Sequence, residues 1–315
     1  MKTEKVHLVV CAILVCVMMF MSSCAHKSPL KDKMFLQSYG MDGQFVITVD
    51  ASKINLGEYV GKDTSGASAS DASNASNVAV DYITDRMSRL SIVLFDKTGE
   101  YAEYPADLST YDFEGALEGN YSKTLINTAL KLSGVMTQEE GQTGLKFFTD
   151  SESGLQAAIP KSGIILFSSS DVEETYKTTF ESSQKLISDE QAEKLANCQI
   201  GIFVSNPKTL IDLGLDVPKS SLENIEYILV MLEDDTLSID FKLKSESLAR
   251  SFSILIKGSY VGQLKREGAT IDFEQLKQQF VQEFDMVSVK DLGLTQEQKD
   301  AMKSVITELL GVFNF

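Results

Sequence analysis

Histidine, cysteine, carboxylates and serine–lysine pairs are the side chains here that could do covalent or acid–base chemistry, and their positions remove most of the options. Both histidines, His7 and His26, fall within the first 26 residues. Imidazole is the base of Ser-His-Asp and Cys-His centres and the usual nitrogen ligand of zinc, so neither centre can be assembled from the rest of the chain. Of the four cysteines, Cys11 and Cys16 sit in an apolar N-terminal run, Cys24 follows it and Cys198 is alone in the remainder. Without a histidine to draw off its proton, Cys198 reads as a small apolar residue at a strand edge, and it has no partner for a disulfide. Motifs of the G-x-S-x-G, P-loop and G-x-G-x-x-G types are absent from the sequence. The 45 acidic residues allow some carboxylate pair for glycoside hydrolysis, but no Trp is present to stack a sugar ring and only the ten tyrosines could substitute. The catalytic residue set is therefore empty, with a carboxylate-based hydrolase as the third reading. No metal and no cofactor are expected.

Cys24 is the one residue whose setting favours a covalent reaction. Lys2 and Lys5 precede Leu8 to Met21, an uncharged apolar run of fourteen residues, and Ser22 and Ser23 lead into Cys24. A bilayer-crossing helix needs roughly 20 residues, so residues 1–23 read as a cleaved export signal. Met21-Ser22-Ser23-Cys24 resembles the lipobox of bacterial cell-envelope lipoproteins, with Met where Leu is usual. That resemblance implies lipid attachment at Cys24, palmitate among the acyl chains, and a membrane-anchored protein of the bacterial envelope. Ala25, where inner-membrane lipoproteins usually carry Asp, implies outer-membrane sorting, with the periplasmic or surface face left open.

A second resemblance is local. Ser205-Asn206-Pro207-Lys208 spells S-x-x-K and Lys97-Thr98-Gly99 spells K-T-G, as in penicillin-binding proteins and class A β-lactamases, but the order is reversed relative to that family. A helix N-cap followed by Pro explains the first of these equally well.

The whole chain carries −16. Removing residues 1–23 takes away Lys2, Lys5 and Glu4, a net +1, and leaves −17 on about 290 residues. Such a charge repels nucleic acid and anionic head groups. The expected partners are the membrane, through the lipid on Cys24, and an envelope protein.

Residues 24–42 form the lipidated tether, basic over Ala25 to Lys33. Gln44 to Val49 opens the fold as a strand, and residues 57–77, rich in Ser, Ala, Gly and Asn, have little to bury and read as a disordered loop. Alternation and turn chemistry predict hairpins Leu90–Phe95 with Tyr101–Tyr104, Leu145–Thr149 with Leu155–Ile159, and Tyr227–Leu232 with Leu237–Leu243. Their acidic tips lack the ligand spacing of a calcium loop. Helical periodicity predicts helices over Tyr121–Leu132, Val172–Phe180, Ser247–Leu264 and Asp272–Phe284. A last helix begins at a Thr295/Gln298 capping box and carries Met302, Val305, Ile306, Leu309, Leu310 and Phe313 on one face.

Strand, hairpin and helix then recur about 155 residues apart, with Gln199–Val204 answering Gln44–Val49. The expected fold is α+β, in two related halves over 43–190 and 191–315, each a mostly antiparallel sheet of hairpins packed with helices. The expected function is that of a non-enzymatic, lipid-anchored envelope protein that binds or scaffolds a partner. The alternative is an extracytoplasmic solute- or ligand-binding lipoprotein, whose parallel sheets would require regular strand–helix alternation.

Overall fold

Val46, Ile47, Thr48 and Val49 alternate between two apolar surroundings, so the first strand needs cover on both faces. In the computed structural model, which describes residues 45–54, 82–83, 85–96, 111–133, 136–181, 187–205, 221, 223–266 and 268–296, this strand lies near the middle of a twelve-stranded sheet. The strands are β1 Phe45–Asp50, β2 Met87–Asp96, β3 Tyr111–Gly119, β4 Met136–Glu140, β5 Lys146–Asp150, β6 Gln156–Ala158, β7 Ile164–Ser168, β8 Ile200–Val204, β9 Ile225–Glu233, β10 Thr236–Leu243, β11 Phe280–Glu283 and β12 Met286–Gly293. The helices are α1 Lys123–Ser133, α2 Val172–Phe180, α3 Asp189–Asn197, α4 Glu246–Arg266 and α5 Phe273–Gln279.

The sheet runs β11-β12-β10-β9-β8-β1-β2-β3-β7-β6-β5-β4, and every described strand pair is antiparallel. The α+β class is as expected. The two sheets expected, however, are one, because β1 and β8 pair with each other and Ile47 faces Ile202. Outward from that pair the order is β1-β2-β3-β7-β6 on one side and β8-β9-β10-β12-β11 on the other. One row of partners reads Ile47, Ile92, Gly115, Phe167, Ala157 and the other Ile202, Val230, Ile239, Val289, Phe280. A helix follows the third strand in each: α1 after β3, α4 after β10.

Alternation sends Ile47, Val49, Leu90, Ile92, Val204, Ile228, Val230, Ile239 and Phe241 to one face, where Ile126 of α1, Phe252 and Ile256 of α4 and Leu276 of α5 join a single core. Val46, Val93, Ala116, Leu166, Phe203 and Leu229 point to the opposite face and meet Val172 of α2 and Ala192 and Leu195 of α3. At about 1.5–3 kcal/mol for each large side chain removed from water, this double cover is the main stabilising term. Gly201 marks the closest approach. A Cβ there would come within 2.6 Å of Leu195 Cδ2 and 2.9 Å of Thr48 Cγ2, so α3 can lie this near β8 only over a glycine.

Two expected elements are corrected. β2 pairs with Tyr111–Gly119, downstream of the expected partner Tyr101–Tyr104, which falls outside the described residues. Glu114, Gly115 and Glu118 blur the alternation of β3; Gly115 is needed because a Cβ there would strike the Phe167 ring and Ser91 O. The helix expected over Asp272–Phe284 ends at Gln279, and Phe280 enters β11 opposite Val289. Leu276 and Phe280 are buried while Phe273 and Phe284 are exposed, so the four residues never shared one helical face. The hairpins β5–β6 and β9–β10 and the helices α1, α2 and α4 fall where expected. Residues 57–77, expected as a loop, and residues 297–315, where most of the expected last helix falls, lie outside the described residues.

Candidate functional site

Cys24, His7, His26, Lys97-Thr98-Gly99 and Asn206-Pro207-Lys208 all lie outside the described residues, whereas Ser205 ends β8. Of the serine–lysine candidates, only Ser205 is therefore among the described residues. Among the described residues, no group of three or more His, Cys, Asp or Glu side chains is placed to hold a metal ion, and no helix is long and apolar enough to cross a membrane.

Several of the chemically capable side chains that are described make structural contacts. Cys198 follows α3, is 6 % exposed and donates from Sγ to Leu195 O at 3.3 Å. Burial pushes its thiol up to about 11, against a lowering by the Arg89 guanidinium. That is the reverse of a nucleophile's environment. Arg89 itself, 5 % exposed, donates to Thr48 Oγ1 at 3.0 Å and to Ala196 O at 2.6 Å, with Asp50 Oδ2 at 3.7 Å. It satisfies a terminal carbonyl of α3, one of the groups that a helix end leaves without an internal partner.

Carboxylates behave alike. Asp171 and Asp272 cap α2 and α5 by accepting from backbone N–H groups two and three residues on. Glu173 on α2 accepts from Gln142 N at 3.0 Å and from Thr143 N, holding the β4–β5 turn. Hydrogen bonds from Thr143, its side chain before its backbone, keep that carboxyl below the usual range. Asp150 accepts from Ser153 within its own turn. Asp240 on β10 receives Ser288 Oγ at 2.6 Å and Lys194 Nζ at 2.9 Å. Lys53 Nζ joins Glu233 Oε1 at 2.7 Å and Asn197 O at 2.8 Å, and Gln199 bonds reciprocally with Asp234.

What remains is a surface. Among the described residues, the large apolar side chains that stand exposed are Ile254, Phe273 and Phe284, at 75 %, 65 % and 80 %. All three belong to one flank of the sheet, where α4 packs on β10, β11 and β12 and α5 on β11 and β12. Phe284 is unusual in its backbone as well. It opens the two-residue turn between β11 and β12 with φ +50°, a conformation that costs a residue with a Cβ about 1 kcal/mol and is ordinarily given to Gly or Asn. The turn is held by Gln282 Nε2 donating to Phe284 O, by Lys242 Nζ at 2.6 Å from Asp285 Oδ2 and by Leu243 N donating to Asp285 O at 2.9 Å. A rigid hairpin thus presents an aromatic ring to solvent. In the sequence this surface is hidden, because the helical spacing of Phe273, Leu276, Phe280 and Phe284 reads as one buried stripe.

An antiparallel twelve-stranded sheet with helices on both faces defines an α+β protein, and solved structures share that arrangement. The chain is similar to crystal form I of TP0453, with TM-score 0.52 and 11 % identity over 89 % of this chain and 98 % of that one. Crystal form III gives 0.51 and 10 % over 89 % and 98 %, and crystal form IV gives 0.52 and 9 % over 88 % and 97 %. At such identities the likeness is one of fold alone. No protein-family model and no curated protein matches the sequence.

Proposed function

We propose that this chain is a non-enzymatic, lipid-anchored envelope protein that binds a protein partner through the α4–α5–β11 flank. The observation that carries the reading is Phe284, an exposed ring held at positive φ by a braced turn, with Ile254 and Phe273 exposed on neighbouring elements. Aromatic anchors presented on rigid elements are the residues that dominate protein interfaces, and strain retained at the surface points to use. The lipobox at Met21–Cys24 supports the anchoring. The antiparallel strand pairing speaks against the solute-receptor alternative, which calls for parallel sheets.

We also read the two halves as related copies. The matching outward strand order, the aligned rows from Ile47 and Ile202, and the spacing of 155 residues between those two positions support a duplication whose copies meet at β1–β8.

Capture from envelope extract tests the partner reading, with lipidated wild type compared against Phe284→Gly and Ile254→Ser. A discrete protein retained by wild type and lost by both variants is expected. The same proteins captured by all three would sink the reading. For the anchor, Cys24→Ser should be released from membranes or left unprocessed, and membrane fractionation with an unaltered mature mass would overturn it.

A further inference from the structure

An open sheet has two edges, and an edge strand offers backbone N–H and C=O groups that its own sheet does not pair. Among the described residues these edges are β4 and β11. They differ in charge. On β4, Thr137 to Glu140 are exposed, Glu139 and Glu140 among them, and between Met136 and Ala158 four acidic residues meet one basic residue. Charge on an edge strand is a usual means of keeping a second strand away. β11 carries only Glu283. Between Glu246 and Gly293, which take in α4, α5, β11 and β12, seven acidic residues meet six basic ones, a net −1 of the chain's −16. The repulsion that holds two copies of so acidic a chain apart is therefore weak on this flank.

The register of β11 shows which backbone groups face outward. Glu283 and Met286 close the two-residue turn, so that pair and the Val281–Ser288 pair carry the ladder bonds to β12. Phe280 and Gln282 turn their N–H and C=O away from β12. The Phe280 N–H agrees with this parity, for it donates to Leu276 O at the end of α5. Gln282 N–H, Gln282 O and Phe280 O line the edge, with no strand of the described residues beyond them. Phe284, 80 % exposed, follows directly.

We infer that β11 pairs with β11 of a second copy of this chain, antiparallel about a two-fold axis at Gln282. The inference rests on the reading of this flank as a protein-binding surface and names what it binds. The register is self-complementary: each Gln282 N–H donates to the Gln282 O of the other copy, and Val281 of one copy stands opposite Glu283 of the other, so that no like charges are directly opposed. A four-residue edge alone buries less than the roughly 1,200 Å² of a stable interface. The two Phe284 rings beside the axis add apolar area that the monomer leaves in water.

The test uses the full chain in detergent. On mild oxidation Gln282→Cys should form a disulfide-linked pair, read as a doubled mass on a non-reducing gel. Wild type, which controls for the native cysteines, and Gln138→Cys on β4 should not. In sedimentation equilibrium wild type should pass from one copy to two as concentration rises. Gln282→Pro deletes the outward N–H and spares the ladder to β12, as an edge position allows; it should stay at single-chain mass, whereas Gln282→Ala, which keeps the N–H, should still pair. The cysteine crosslink reads the same contact without relying on the proline variant. A wild type that stays at single-chain mass, a Gln282→Pro protein that pairs as wild type does, or masses beyond two copies, as β4 joined to β11 would give, would overturn the inference. A monomeric wild type together with loss of envelope-protein capture in Phe284→Gly and Ile254→Ser would remove this inference and leave the partner reading standing; a Gln282→Cys crosslink together with unchanged capture would do the reverse.

Discussion

Lys194 on α3 reaches Asp240 on β10 at 2.9 Å, tying a helix that precedes β8 to a strand two places further out in the sheet. The two ends of this bridge are unequal: the Asp240 side chain is 9 % exposed and that of Lys194 is 39 %. Burial opposes the ammonium charge, but hydrogen bonding and attraction from Asp240, then Glu190, outweigh it and raise its pKa. The consequence is an asymmetric mutational cost. Lys194→Met leaves Asp240 buried with the Ser288 hydroxyl still donating to it, and should cost roughly 2–4 kcal/mol. Asp240→Asn keeps the Ser288 bond and leaves Lys194 able to turn to Glu190 and water, for about 1–2 kcal/mol. Denaturant titration of the two variants checks the order, and equal costs would show that exposure does not set it.

A pH-dependent prediction attaches to Glu173. Its carboxyl is held below the usual range by Thr143, so the folded state binds its proton less readily than the unfolded state does. Stability from this contact is present above the unfolded carboxylate pKa, near 4.3, and is lost as pH falls through the lower folded value. Glu173→Gln should therefore be less stable than wild type at neutral pH, with the difference closing only in acid. A pH series of melting temperatures decides it; a gap that persists at acid pH would mean that packing against Gly141 dominates, since a Cβ at that glycine would meet the Glu173 carboxylate.

Much of this arrangement was legible in the residues, for physical reasons that can be named. β9–β10 was visible because Tyr227–Leu232 and Leu237–Leu243 alternate around an acidic two-residue turn, and α2 because Val172, Tyr176 and Phe180 keep a helical period. α3 was missed although Ser188 and Gln191 form a full capping box, since its stripe is reduced to Ala192 and Leu195. β7 was missed because Ile164–Ser168 is buried on both faces, which removes the period-two signal. The joining of two sheets into one rests on the β1–β8 register, which no local pattern encodes. The candidate surface was hidden for a related reason: nothing in Phe280-Val281-Gln282-Glu283-Phe284 says that a helix must stop, because the pairing partner Val289 lies beyond a turn.

Cys198 gives a kinetic prediction and a thermodynamic one. With its thiol pushed up to about 11 by burial, alkylation by iodoacetamide at neutral pH should be slow in the native protein and fast in urea. Between about 8.5, the ordinary thiol value, and about 11, the unfolded chain releases a proton that the folded chain retains. Stability should fall with rising pH across that window. Cys198→Ala should remove this part of the alkaline slope. An identical slope in both proteins would assign the alkaline loss to other groups.

Phe284 separates fold from function most sharply. Its φ of +50° is a conformation that glycine adopts freely, and its ring, 80 % exposed, contributes little burial to the monomer. Phe284→Gly relieves the Cβ strain but returns backbone freedom to the unfolded chain, and the balance should leave the protein unchanged or more stable by up to about 1 kcal/mol. Phe284→Ala keeps the strain and removes the ring, so it should lie at or below wild type. A melting series in which glycine is the most stable of the three would show that phenylalanine is held there against the interest of the fold. A loss of more than about 1 kcal/mol in Phe284→Gly would instead give the ring a packing role and remove the case for Phe284 as an anchor. The ordering matters because surface strain persists only where the surrounding structure enforces it, and here Gln282, Lys242 and Leu243 enforce it around a side chain that the monomer itself leaves in water.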